Sequence, residues 1–129
     1  MLKVYPVVLT QTNLGYVVTV PDLDINTQGA DLAEAIFMAR DAIGIWGICE
    51  QDDGRVIPEP STSQPSHKDG EIVTWVDIDF DKYRRANDMT SERTNITLPR
   101  YLKNLAIDEG INLSQELQTR LKEVLQLSQ

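Results

Sequence analysis

The sequence predicts an α+β fold built in two parts, and three observations predict it. Short runs rich in β-branched residues, separated by turn residues, open the chain and return at residues 71–80. One long stretch between them carries apolar residues at helical spacing. Residues 93–129 then follow a plan of their own: strand, helix, glycine turn, helix.

Val4 to Thr10 and Tyr16 to Val20 flank Asn13-Leu14-Gly15, which reads as a β-hairpin. Pro6 lacks an N–H, so it demotes the first strand to an edge or demands a local irregularity. Pro21-Asp22 ends the second strand, and a third short strand falls at Ile25 to Gln28. Asp31 is placed as a helix N-cap with Glu34 as its capping-box partner. Leu32, Ala35, Ile36, Ala39, Ile43 and Trp46 then mark the apolar face of a helix reaching about Cys49. A turn at Asp52-Asp53-Gly54 leads into a Pro/Ser-rich surface loop over 58–70. In the strand at 71–80, Val76, Ile78 and Phe80 alternate with a row of carboxylates, Asp77, Asp79 and Asp81. These boundaries give a body over 1–81, a linker over 82–92 and a module over 93–129.

In that last module Thr94, Ile96 and Leu98 alternate with Arg93, Asn95 and Thr97. Pro99 suits the first position of a helix whose apolar side is Leu102, Leu105 and Ala106, and Gly110 suits its C′ position. Asn112 or Ser114 caps a second helix, with Gln115 as the capping-box partner of Asn112. Leu113, Leu117, Leu121, Val124 and Leu125 line that helix's buried face. A lone strand can neither satisfy its backbone groups nor bury its apolar face, so the same strand of a second chain is its obvious partner. A homodimer follows, with pairing of dimers left open.

Composition narrows the function. The 129 residues suffice for one ordinary domain or two very small ones, and 41% hydrophobic residues is too many for a disordered chain. No run is long enough to span a membrane and no secretory signal is visible. One Cys and one His exclude an internal disulfide and a His/Cys zinc cluster within one chain, which fits a cytoplasmic setting. The net charge of −8 is unevenly divided: 13 acidic against 4 basic residues in 1–80, and 7 against 8 in 81–129. The first part repels nucleic acid and attracts a basic protein, although small acidic domains are often acidic for solubility alone.

Two resemblances overlap on these residues. RTNITLPRYLKNLAIDEGINLSQELQTRLKEVL resembles a ribbon-helix-helix DNA-binding module, in which two strands enter the major groove as an antiparallel ribbon. The resemblance implies base contacts from Arg93, Asn95 and Thr97, residue types that pair well with base edges. It also implies a phosphate held at the start of the second helix, near Leu113 and Ser114. The remainder, with YPVVLT, GYVVTVPDL, TQGADLAEA, IPEPS and DIDFDKYRR, resembles the HicB antitoxins, the partners of the HicA toxin. The chain departs from many relatives after Leu23, where it has Asp24-Ile25-Asn26. This likeness implies a partial RNase H-like β-β-β-α-β body that masks the toxin's RNA-cleaving site, and a C-terminal module that represses the operon from its operator DNA. It implies no cofactor, no metal and no catalysis by this chain.

By charge alone, Asp22, Asp24, Asp77 and Asp79 are candidate toxin contacts. The row Asp77, Asp79, Asp81 also invites a two-metal ribonuclease reading, but alternate residues on one strand form a line and do not surround an ion. His67 reads as a surface residue, and Cys49 as a small hydrophobe rather than a nucleophile. Trp46 and Trp75 read as packing between helix and sheet, with partner anchoring as the alternative. A repressor acting alone, whose body senses a ligand or assists oligomerisation, is the competing function.

Overall fold

The computed structural model describes residues 1–127. It divides into two compact units, Met1–Met89 and Thr90–Gln129. The first holds β1 (Leu2–Thr12), β2 (Gly15–Val20), a 3-10 turn (Pro21–Leu23), β3 (Ile25–Gly29), α1 (Leu32–Asp52), β4 (Ile72–Asp79) and α2 (Phe80–Ala86). The second holds α3 (Arg100–Asp108) and α4 (Leu113–Val124).

The four strands form one antiparallel sheet in the order β3-β2-β1-β4. β1 is therefore central, so of the two readings of Pro6, an edge or a local irregularity, the edge does not hold. The register explains how the proline is tolerated. Phe80 N–H donates to Met1 C=O, and Arg40 Nε reaches the outward carbonyl of Asp77. Backbone groups of one strand residue share a side, so Tyr5 faces β4 and Pro6 faces the other way. On that side the pairing with β2 begins only at Val8↔Thr19. The missing N–H lies where no ladder bond is needed.

Tyr5, Val7 and Leu9 share one face of the sheet with Val18, Val20, Val76 and Ile78, and Ala35, Ala39 and Ile43 of α1 cover it. Each such buried aliphatic chain contributes about 1.5–3 kcal/mol relative to exposure. The cap is as predicted, with Glu34 N–H on Asp31 Oδ1 at 2.8 Å. The reciprocal bond moves by one residue, because Glu34 Oε1 takes the N–H of Ala30 at 3.1 Å. Leu32, expected on the buried face, is exposed in the first turn, and α1 runs to Asp52 rather than Cys49.

The Pro/Ser-rich loop is more firmly held than its composition suggests. Ile57 is buried, Tyr5 Oη donates to Pro58 C=O at 2.7 Å, and Lys3 pairs with Glu59. His67 lies on its surface, within 3.1 Å of the carbonyl of Pro65.

The largest correction is at 80–86. The strand ends at Asp79, and Phe80 begins a helix where a strand end and a linker were expected. Asp79 caps it, and Phe80 and Tyr83 turn one face onto α1. The approach is close enough to require glycine: a Cβ on Gly47 would lie 2.1 Å from the Phe80 ring, and one on Gly44 would lie 2.6 Å from Tyr83. The body thus extends past residue 81, and Asp81 belongs to α2 instead of a strand face.

In the second unit, residues 93–98 form no strand. A single chain offers this segment no second strand to bond to. Pro99 is the N-cap of α3 rather than its first residue, and Asn112, not Ser114, caps α4 by accepting Gln115 N–H at 3.1 Å. Gly110, at φ 70°, ends α3 as predicted. Ile111 N–H bonds Ala106 C=O and Gly110 N–H bonds Ile107 C=O, the paired reverse bonds of a Schellman motif. Neither helix buries a residue within the chain.

Candidate functional site

The four carboxylates proposed by charge do not form one acidic patch. Three of them are occupied locally. Asp22 accepts the N–H and Oγ–H of Ser61, both at 2.7 Å, and so ties the Pro/Ser-rich loop to the 3-10 turn. Asp24 is exposed in the left-handed conformation, φ 54°, and closes that turn. Asp77 meets Arg40 Nη2 at 3.0 Å, and this hydrogen bond holds its carboxyl below the usual range. Asp79 accepts the N–H groups of Lys82 and Asp81, which lower it likewise, against the opposing cost of burial. Its second neighbour is the Met1 ammonium at 3.6 Å, which Asp81 also contacts.

The two-metal reading finds no support in this geometry. Asp81 points from a helix, and among the described residues no three His, Cys, Asp or Glu side chains are grouped to hold a metal. A groove of about 470 Å³ beside Asp77 and Asp79 is lined by Leu2, Arg40, Lys82 and Tyr83. Arg40 there is paired with Asp77 and Asp79 with the Met1 ammonium, and Tyr83, raised by burial, donates to Asp41 at 2.8 Å.

Two of three expected core assignments change. Trp46 is half-buried against the core, as predicted. Trp75 is 41% exposed, because its register with Pro6 puts it on the sheet face opposite Val76 and Ile78. Cys49 is exposed on α1 rather than packed. The outer side of that helix is in fact apolar: Phe37 is 62% exposed and Ile45 49%, with Met38 and Ile48 half-buried. A sequence reading that followed only the buried stripe of α1 passed over these residues, although 3.6-residue periodicity marks them equally well.

In the second unit Arg93, Asn95 and Thr97 are exposed in the irregular segment before α3. Leu113 and Ser114 open α4, half-buried and exposed respectively, where first-turn N–H groups have no intrahelical acceptor. From Arg93 to Ile107 the chain carries Arg93, Arg100 and Lys103 and no carboxylate. Leu102, Leu105, Leu117 and Leu121 remain exposed along the helices. Such unpartnered apolar faces mark an interaction surface.

An acidic sheet-and-helix body joined to a small unit with uncovered helices is the construction of a protein that works by binding others. The sequence matches, over residues 5–126, the family described as HicB-like antitoxin of bacterial toxin-antitoxin system, and the chain belongs to it. It is 35% identical to an uncharacterized 14.9 kDa protein from the rep-hol intergenic region of Haemophilus phage HP1 (strain HP1c1), across 96% of this chain and 93% of that one. Its fold is similar to a chain of a toxin-antitoxin complex from Streptococcus pneumoniae, with a TM-score of 0.57 and 22% identity over 95% of this chain and 99% of the other.

Proposed function

We propose that this antitoxin neutralises a HicA-type ribonuclease toxin by covering its RNA-cleaving site with the body, and represses its own operon through the second unit. The observation that carries this reading is the division of the chain. Residues 1–89 hold 15 acidic and 7 basic residues around a complete core, whereas residues 90–129 hold 5 of each and, among the described residues, no buried side chain. The first unit suits a basic protein, because complementary charge speeds encounter and orients the complex. The second requires another copy of itself.

In that dimer residues 93–98 pair with their counterparts as a ribbon, and the leucines of α3 and α4 become its core. Arg93, Asn95 and Thr97 then face base edges, and the α4 N-terminus near Leu113 and Ser114 holds a phosphate. With no net charge on this unit, affinity rests on the basic stretch from Arg93 to Lys103 and on base contacts. The body is a partial RNase H-like β-β-β-α-β arrangement to which α2 is added. Occlusion needs no chemistry from this chain, and no cofactor enters.

The test is co-expression with the toxin encoded beside its gene. Restored growth and a complex of fixed stoichiometry, together with salt-sensitive binding to the operon's own promoter fragment, are the expected results. A dimer that binds the promoter while leaving the toxin's RNA cleavage intact overturns the antitoxin reading in favour of a repressor acting alone.

A further inference from the structure

On the antitoxin reading above, we infer that the toxin docks on the outward face of α1, not on the carboxylates of β4. Residues of α1 are separated by about 100° around its axis, so Phe37, Met38, Ala42, Ile45, Ile48 and Cys49 fall within an arc of about 140°. Ala35, Ala39 and Ile43, which are packed on the sheet, fall outside that arc. A helix that is apolar on both sides is a buried helix, and α1 is covered by the sheet and, along Gly44 and Gly47, by Phe80 and Tyr83 of α2, which leaves the apolar side chains of this arc open. The uncovered side holds the exposed aromatic Phe37 and the exposed Ile45 four residues beyond Asp41.

Charge identifies the occupant. Glu34, Asp41 and Asp52 run along the same arc, interleaved with the apolar residues at steps of three and four. From Asp31 to Asp53 there are six carboxylates and one cation, Arg40, which is engaged with Asp77. Arg84 offsets Asp52, while Asp31, Glu34 and Asp41 have no ion-pair partner among the described residues. A second copy would bring like charges together across an apolar seam. A basic protein meets both features: apolar anchors at the centre and opposite charge around them. The β4 carboxylates lack this character, since Asp77 and Asp79 already have partners on their own chain.

The test uses the full-length chain and the purified toxin from its operon. Phe37→Ala and Ile45→Lys are expected to weaken toxin binding by at least about tenfold, as truncated anchors do, with thermal melting unchanged. Asp77→Asn is expected to leave the affinity unchanged. A measurement on the unaltered chain stands beside these variants. Cys49, its single thiol, lies on the same arc, so toxin should slow its alkylation by a maleimide. Wild-type affinity in both α1 variants, or an unchanged alkylation rate in the complex, overturns this inference and leaves the antitoxin reading standing. Loss of self-association in Ile45→Lys without loss of toxin affinity overturns it in favour of a contact between copies. A wild-type chain that does not bind the toxin overturns the proposed function itself.

Discussion

Replacing Gly47 by alanine adds one methyl group at the place where α2 approaches α1. That carbon would lie 2.1, 2.6 and 2.9 Å from three atoms of the Phe80 ring, where carbon contacts normally settle at about 3.5–4.0 Å. Phe80 is fully buried, so the ring has no solvent to retreat into, and it is the first residue of α2. Overpacking of this kind costs about 1–3 kcal/mol. Alanine in a helix interior recovers about 1 kcal/mol relative to glycine. An approach of 2.1 Å is a severe overlap that puts the cost at the upper end of that range, so the net expectation is a loss of about 2 kcal/mol, or roughly 8–16 °C in Tm for a unit of this size. Both tryptophans lie in the body, so urea or thermal unfolding followed by tryptophan fluorescence reports this unit specifically. Phe80→Leu in the same chain makes room for the methyl, and the double variant should be more stable than the sum of the single effects by about 0.5 kcal/mol or more. A Gly47→Ala protein as stable as the wild type, or strictly additive changes, would refute the packing argument.

Three further outcomes are expected. Asn95→Ala should cost about 1–3 kcal/mol of operator binding while leaving the dimer intact in sedimentation; an unchanged affinity removes the base-reading role. Leu121→Glu places a charge among the exposed leucines of α4 and should shift the chain from dimer to monomer in analytical ultracentrifugation; an undisturbed dimer places the interface elsewhere. Glu50, Glu71, Asp77 and Asp79 all titrate below their ordinary range, through hydrogen bonds from Arg55, from Lys68 N–H, from Arg40 and from Lys82 N–H respectively. A depressed folded-state value stabilises the fold above the unfolded value and ceases to do so as pH falls through the folded one. Urea midpoints should therefore be flat near neutrality and decline as pH drops below about 4, with a weaker decline in Arg40→Gln; a midpoint that rises on acidification contradicts these assignments.

Local chemistry made the first half of the body legible. The hairpin, the Asp31 cap and the buried stripe of α1 depend on residues close in sequence, and the structure has all three. The helix at 80–86 also had its signals: a capping Asp79, Phe80 and Tyr83 three apart, and Arg84 and Arg85 in the last turn. They were masked because Val76, Ile78 and Phe80 continue a strand alternation by one step too many. Pro6 leaves edge or local irregularity open in the sequence, because that is decided residue by residue, by where β2 begins to pair. The carboxylates were ranked by charge, yet partners such as Ser61 and Arg40 come from 39 and 37 residues away. Spacing along the chain cannot foresee those contacts.

The guanidinium of Arg40 also acts at the open edge of the sheet. It rises from α1, wraps the outermost strand and occupies both the side chain and the backbone oxygen of Asp77. An outermost strand with free amides and carbonyls is a template on which another chain can lengthen the sheet, and repeated lengthening is a route to fibres. A cation fixed on one of those carbonyls interrupts the template at Asp77, two residues before the end of the strand. The chain by itself leaves an apolar face of α1 uncovered, and this plug keeps one of its sheet edges from becoming a second adhesive surface.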